Sequence, residues 1–322
     1  MQTTSLGMIA CVLGCGLACA VSAQSYPTKP VRLIVGSSPG GGGDTFARVA
    51  AQGLTHVIGQ QIIIDNRAGA SGNIGADLVA KAPPDGYTLL FVFTGHVLNP
   101  GLHSKLPFDT VRDFAPVSLL ATNESVLVVH PSVPAKSLTE LIALVKNNPG
   151  KYSMGALTSS AQHLGTELFR LKAGIDFLFI PYKGNGPALT DLLGGQINMA
   201  FNTVAITLPL VQAGKLRALA VAGERRSKLV PDLPTMSEAG LPGFSFFGWY
   251  GIVAPARTPD AIVRRLHQGL VQAMKSPDIV ERVAAMGNEP VGSTPAEFDK
   301  FIRDEIPKWA KVIKEAKISL GP

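Results

Sequence analysis

The stretch Val31–Ala51, VRLIVGSSPGGGGDTFARVAA, constrains the fold of this chain more than any other. The apolar run Val31, Leu33, Ile34 and Val35 suits a buried β-strand. It breaks into Gly36-Ser37-Ser38-Pro39 and four consecutive glycines, Gly40 to Gly43. Asp44 is then expected to cap a helix over Thr45–Gln52, with Phe46, Val49 and Ala50 on one face. A strand that ends in a glycine turn and a helix start is a ready-made anion cradle. The first helical N–H groups lack intrahelical partners, and the helix dipole favours negative charge there.

The rest of the chain must supply the other half of a site. At 322 residues it exceeds what one core usually holds and suits two lobes of roughly 150 residues each. Its 46% hydrophobic and 16% charged residues fit a packed globular protein and exclude a disordered one. Residues 1–23 read as a signal peptide: Met8–Val21 is an apolar run too short to span a bilayer, and Val21-Ser22-Ala23 suits cleavage before Gln24. The n-region MQTTSLGM carries no Lys or Arg, which leaves an uncleaved anchor as the alternative. Cys11, Cys15 and Cys19 all lie in this segment, so the mature chain would have no thiol chemistry. Lipidation through Val12-Leu13-Gly14-Cys15 is a second alternative, but it leaves a very short apolar region. The net charge of +6 belongs to the remainder. Its basic residues are scattered and lack the interleaved aromatics of a nucleic-acid groove, so no nucleic-acid partner is expected.

Along the chain, strands are expected at Gln61–Asp65, Tyr87–Phe93, Phe114–Leu120, Ser125–His130, Lys151–Ala156, Phe177–Ile180, Ile197–Phe201, Leu216–Val221 and Trp249–Ala254. Helices are expected at Asn73–Ala82, Leu138–Asn147, Ala161–Ala173 and Ala188–Leu193, and in three pieces after Pro259. Consecutive strand–helix–strand units imply right-handed crossovers and parallel strands.

Three constellations could carry chemistry. Gly36-Ser37-Ser38-Pro39-Gly40 fits the G-x-S-x-G elbow of α/β-hydrolases. However, Ser38 follows the first strand of the mature chain, and Pro39 lacks the N–H an oxyanion hole would use. A later acid and His267 would complete the triad order only on paper. Pro181–Pro187, PYKGNGP, again joins a strand to a glycine turn and a helix start, with Lys183 beside it; a plain surface turn fits equally well. Thr158-Ser159-Ser160 precedes a helix, and capping is the simpler reading. The six histidines show no metal-ligand spacing, and no dinucleotide or Walker glycine motif is present. No metal or cofactor is expected. Phe93, Phe201, Phe246, Phe247 and Trp249 read as core, with one or two able to face a ligand.

The segments YPTKPVRLIV, SPGGGGDTFAR, IGQQIIIDNRAGASGNIGA, PPDGYTLL, TGHVLNP, LPFDTVRDFAPVSLL, QHLGTELF, PYKGNGPALTDLLGGQI, AGKLRALAV, PDLPTMSEAGLPGF and WYGIVAPARTP run from Tyr26 to Pro259. On these the chain resembles the substrate-binding proteins of tripartite tricarboxylate transporters, the Bug family of periplasmic solute receptors. The resemblance implies an α/β, two-lobed, type II periplasmic-binding-protein (Venus flytrap) fold with a ligand cleft between the lobes. It implies lobe 1 at 24–124 plus 247–322 and lobe 2 at 125–246. The implied protein is a periplasmic, non-enzymatic, monomeric receptor. It would capture a small carboxylate (di- or tricarboxylate, or aromatic acid) for a membrane permease or sensor. Carried over by position, ligand contacts would come from Ser38, Pro39, Gly40, Gly41, Asp44, Ala70, Ser71 and Thr94 in lobe 1. Lobe 2 would supply Thr158, Ser159, Gln162, His163, Lys183, Gly184, Pro187 and Ala188. The chain departs from the family at Asn198 and Asn202, where Asp is usual, and at Ala205, where Pro is usual. If Asn202 faces the cleft, an acceptor-only carboxylate has become an amide that also donates, which suits a plain carboxylate over an amino acid.

Overall fold

The computed structural model describes residues 26–157, 160–182 and 185–318. The signal segment with its three cysteines, Thr158, Ser159, Lys183, Gly184 and the Ser71 side chain lie outside the described residues.

Two mixed sheets divide the chain. The first has the order β11-β4-β10-β3-β1-β2. Strand β1 (Val31–Val35) sits between β2 (Ile62–Asn66) and β3 (Thr88–Phe93), parallel to both. Strand β10 (Gly248–Pro255) runs antiparallel between β3 and β4 (Phe114–Asn123), and β11 (Glu289–Pro290) lies on the edge. The second sheet, β7-β6-β8-β5-β9, repeats the plan. Strand β6 (Ser153–Leu157) is parallel to β7 (Leu178–Tyr182) and β8 (Met199–Thr203), while β5 (Ser125–Val129) is antiparallel to β8 and β9 (Arg217–Val221). The chain leaves the first sheet at Asn123, and Glu124 alone separates the two sheets there. It returns at Gly248, which pairs with Asn123 across the strands.

Helix α1 (Gly42–Ile58) packs on one face of the first sheet with α8 (Asp260–Met274) and α9 (Pro277–Ala285). Phe46, Leu54, Leu266 and Leu270 are almost wholly buried there. On the other face lie α2 (Asn73–Ala80), α3 (Gly95–Leu102) and α10 (Pro295–Glu315). Helix α10 starts from a capping box in which Thr294 Oγ1 accepts from Glu297 N at 3.2 Å and the Glu297 carboxylate accepts from Thr294 N at 2.8 Å. In the second sheet α4 (Leu138–Lys146), α5 (Ala161–Ala173), α6 (Asn185–Leu193) and α7 (Val204–Gln212) cover the strands. One apolar cluster continues from Leu98, Trp249 and Phe298 into Leu164, Phe169, Phe201 and Phe246, so the two lobes share core on that side.

Three expectations need correction. Asp44 is not the helix cap: the helix begins at Gly42, where Gly41 O accepts from Thr45 N, and Asp44 sits buried in its first turn. Helix α3 was not expected, because Gly95, Pro100 and Gly101 are poor helix formers. Packing overrides that preference: a Cβ at Gly101 would lie 3.3 Å from Ala310 Cα, so the glycine lets α10 approach closely. Helix α7, with Pro209 inside and several β-branched residues, was missed for the same reason.

Candidate functional site

A cavity of about 370 Å³ opens where the carboxyl ends of the parallel strands of both sheets meet. This is where α/β sheets usually hold ligands. Its lobe 1 wall comes from Ser37 after β1, Phe93, Thr94 and Gly95 after β3, and Gly42 and Gly43 at the start of α1. Lobe 2 adds Leu157, Ser160, Ala161, Gln162 and Thr203, while Asn123, Gly248, Trp249 and Tyr250 line it at the crossing.

Four helices begin at this cavity. Helix α1 presents Gly42 and Gly43, α3 follows Thr94, α5 follows Ser160, and α7 follows Thr203. The first N–H groups of each helix have no intrahelical acceptor, and each helix start carries about half a positive charge. Side chains and crossing segments satisfy some of these donors. Ser160 Oγ accepts from His163 N at 3.1 Å, and Glu124 O accepts from Val204 N at 3.0 Å. Among the described residues no Lys, Arg, Asp, Glu or His lines the cavity. The described wall is therefore positive through backbone dipoles, and it shows no carboxylate to attract a cation. Ser37 Oγ and Trp249 Nε1, on two of the lining residues, are buried and have no hydrogen-bond partner among the described residues.

Asp44 supports this wall from below. Its Oδ2 accepts from Gly40 N at 2.9 Å and Arg48 Nε at 3.0 Å, and its Oδ1 accepts from Asn66 Nδ2 at 2.8 Å. The same Asn66 Nδ2 donates to Ser37 O at 3.0 Å. Burial pulls the Asp44 carboxyl upward, but the bonds from Arg48, Gly40 and Asn66 outweigh it and hold the group below the usual carboxylate range. Asp44 is thus an ionised anchor of the glycine turn and does not line the cavity.

The other expected contacts distribute unevenly. Thr94 and Gln162 lie on the wall. Ser38, Pro39, Gly40 and Gly41 form the exposed crest of the turn, beside the wall residues Gly42 and Gly43. Ala70 is exposed in a 3-10 turn with φ of 45°, a conformation rare outside glycine. Ser71 belongs to that same turn. His163 stacks on Phe179, with ring centroids 4.6 Å apart, one residue beyond the wall. Burial, helped by the Arg170 charge, pushes its pKa down to about 4, so it adds no positive charge at neutral pH. Pro187 is exposed in α6 and Ala188 is buried in its core. Asn202 is buried beside the wall residue Thr203, and its Nδ2 has no partner among the described residues. Asn198 serves structure: its Oδ1 accepts from Ser153 N at 2.8 Å and ties β6 to β8. Ser38 Oγ makes no hydrogen bond to a histidine among the described residues, and His267 belongs to α8, where Glu297 is its charged neighbour.

The sequence reading missed Ser37, Asn123, Thr203, Gly248 and Tyr250. A search for helix starts following strand ends would have found Thr203; nothing local distinguishes Ser37 from Ser38.

Two mixed sheets, each ending its parallel strands at one shared cavity, define the two-lobed class of solute-binding proteins. Residues 46–318 match the family described as tripartite tricarboxylate transporter family receptor, TctC. The chain is 41% identical to Protein BugT of Bordetella pertussis over 309 residues, which is 95% of this chain and 94% of that one. Two solved structures are similar to it over almost their whole length. Rpa4515 of R. palustris with adipate is 36% identical with a TM-score of 0.78, covering 92% of this chain and 100% of that chain. MatC of Rhodopseudomonas palustris with bound malate is 31% identical with a TM-score of 0.75, covering 89% and 100%. The chain belongs to the tripartite tricarboxylate transporter receptor family, as its motifs implied.

Proposed function

We propose that this chain is an exported, non-enzymatic receptor that captures a small carboxylate by closure of its two lobes. The closed form is then read by a membrane permease or sensor. One observation carries the reading: four helix starts surround a cavity that no charged side chain among the described residues lines. Such a site binds an anion through peptide N–H groups, which need no titratable base. The adipate and malate bound by the two similar structures support a carboxylate with one or more acid groups. The lobes divide at 24–124 plus 247–322 and 125–246, in keeping with the change of sheet after Asn123 and before Gly248. Residues 1–23 direct the chain to the periplasm and are removed there. The family-implied contacts from Ser71, Thr158, Ser159, Lys183 and Gly184 complete the grip when the lobes close. Because the described wall has no carboxylate, and an amide stands at Asn202 beside it where the family usually has an acid, amino acids bind more weakly than matched acids without the amino group.

A secreted hydrolase using Ser38 is the competing reading. A thermal-shift screen against a carboxylate library, run on the wild type and Ser38→Ala, separates the two. Stabilisation by one or more carboxylates that survives in Ser38→Ala supports the receptor. The absence of any carboxylate shift, or an esterase activity that Ser38→Ala abolishes, overturns it.

A further inference from the structure

Asn123 and Asn288 form a short polar chain between the cavity and the turn behind it, and its direction is fixed at the far end. Asn288 Nδ2 donates to the Met286 carbonyl at 3.3 Å. A carbonyl only accepts, so Asn288 must present its nitrogen there and its oxygen to the other side. That oxygen accepts from Asn123 Nδ2, also at 3.3 Å. Asn123 therefore has its amide nitrogen turned away and its Oδ1 left over. Flipping Asn123 would set two oxygens against each other, and flipping both residues would set Asn288 Oδ1 against Met286 O. The amide that lines the cavity is held in one orientation by a residue that does not line it.

Gly248 makes room for this arrangement. It is the cross-strand neighbour of Asn123 and also lines the cavity. A Cβ there would stand 2.3 Å from Asn123 Oδ1 and 2.8 Å from its Cγ, so the amide lies flat over the bare glycine. Oδ1 accepts no hydrogen bond from the described residues. It offers an acceptor in a cavity whose remaining polar wall is dominated by N–H groups at helix starts and by hydroxyls.

We infer that Asn123 Oδ1 reads a hydroxyl on the ligand and that Asn288 is the positioning residue that aims it, so that the site prefers hydroxy-carboxylates to their deoxy counterparts. This rests on the carboxylate reading above and names its substrate class more closely. An ammonium is the other donor a small acid could bring. It is disfavoured because four positive helix starts surround the cavity and no carboxylate among the described residues lines it. A hydroxyl donates without carrying charge. A site that aims an acceptor at a hydroxyl also discriminates against the analogue that leaves this acceptor unpaired once the lobes close.

The test is isothermal titration of the full chain with three matched pairs: malate and succinate, citrate and tricarballylate, mandelate and phenylacetate. In each pair that binds, the hydroxy acid is expected to bind about tenfold more tightly. Asn123→Leu and Asn288→Ala should both bring that ratio close to one, and Asn288→Ala, outside the wall, should leave the deoxy acid within about twofold of its wild-type Kd. The deoxy acid is the control for Asn288→Ala: a merely structural role for Asn288 would weaken both members of a pair alike and leave the ratio unchanged. Equal binding within every pair by the wild type, or a ratio that survives both substitutions, overturns the inference and leaves the receptor intact. If no member of any pair binds while another carboxylate of the library does, this inference falls alone; if no carboxylate binds at all, the carboxylate reading falls and takes this inference with it.

Discussion

Replacing Asp44 by asparagine tests whether the glycine turn is held from beneath. The substitution keeps the shape and changes one oxygen into an amide nitrogen. If the nitrogen takes the Oδ2 position, it faces Gly40 N and Arg48 Nε, which are both donors. If it takes the Oδ1 position, it faces Asn66 Nδ2, another donor. Asn66 cannot flip to relieve this. Its nitrogen also serves Ser37 O, and its oxygen accepts from Arg48 Nη2 at 3.2 Å. Every arrangement therefore leaves a donor–donor contact at a residue only 2% exposed. That costs about 1–3 kcal/mol. Loss of the charge opposite Arg48, whose side chain is 52% exposed, adds only about 0.5 kcal/mol after solvent screening. Asp44→Asn should thus lose about 2–3 kcal/mol in urea unfolding, and about 5 °C in Tm. Carboxylate binding should weaken roughly tenfold, because the released turn no longer presents Gly42 and Gly43 in a fixed position. A variant within about 0.5 kcal/mol of wild type, with unchanged Kd, would refute the anchoring role.

Two further outcomes follow from the packing. Burial pushes His96 down to about 4, against an unfolded value of 6.5. Between those values the unfolded chain binds a proton that the folded chain refuses, so stability is intact above pH 6.5 and falls as the pH drops towards 4. The loss is on the order of 3 kcal/mol for this residue, and His96→Gln should show a correspondingly shallower fall when unfolding free energies at pH 7 and pH 4 are compared. At Gly165, inside α5, a Cβ would meet the fully buried Phe246 ring at 2.2 Å. Gly165→Ala gains about 1 kcal/mol of helix propensity but overpacks the core by about 3 kcal/mol. A net loss of about 2 kcal/mol in chemical unfolding is expected, and a stabilised variant would contradict the packing.

Strands were the most legible part of the fold because their cues are local. Val31–Val35 appears as a strand over the expected residues, and the edges of most others lie within two residues of expectation. Helices α3 and α7 were not legible because their own residues argue against them; only the packing of α10 on Gly101 and the placement of α7 after β8 explain them. The site was legible as a chemistry and less so as a residue set. Asp44 carries the acidity of a helix cap, yet its carboxylate turns back to Gly40, because Gly41 already closes the helix. Ser37 and Ser38 are adjacent hydroxyls, and only the path of the turn puts the first on the cavity wall and the second in solvent. Asn123 carries no motif at all. Its importance arises from contacts with Gly248, 125 positions away on the returning strand, and with Asn288 beyond it.

The lining of the cavity by helix starts also bears on how such a receptor can change over generations. A grip made of peptide N–H groups belongs to the backbone, so no single side-chain replacement deletes it outright. Positions such as Leu157, Gln162, Thr203 and Tyr250 can then vary in size and polarity while the hold on the acid group persists. Descendants of one gene could diverge towards different acids by altering the walls alone, without passing through a form that binds nothing.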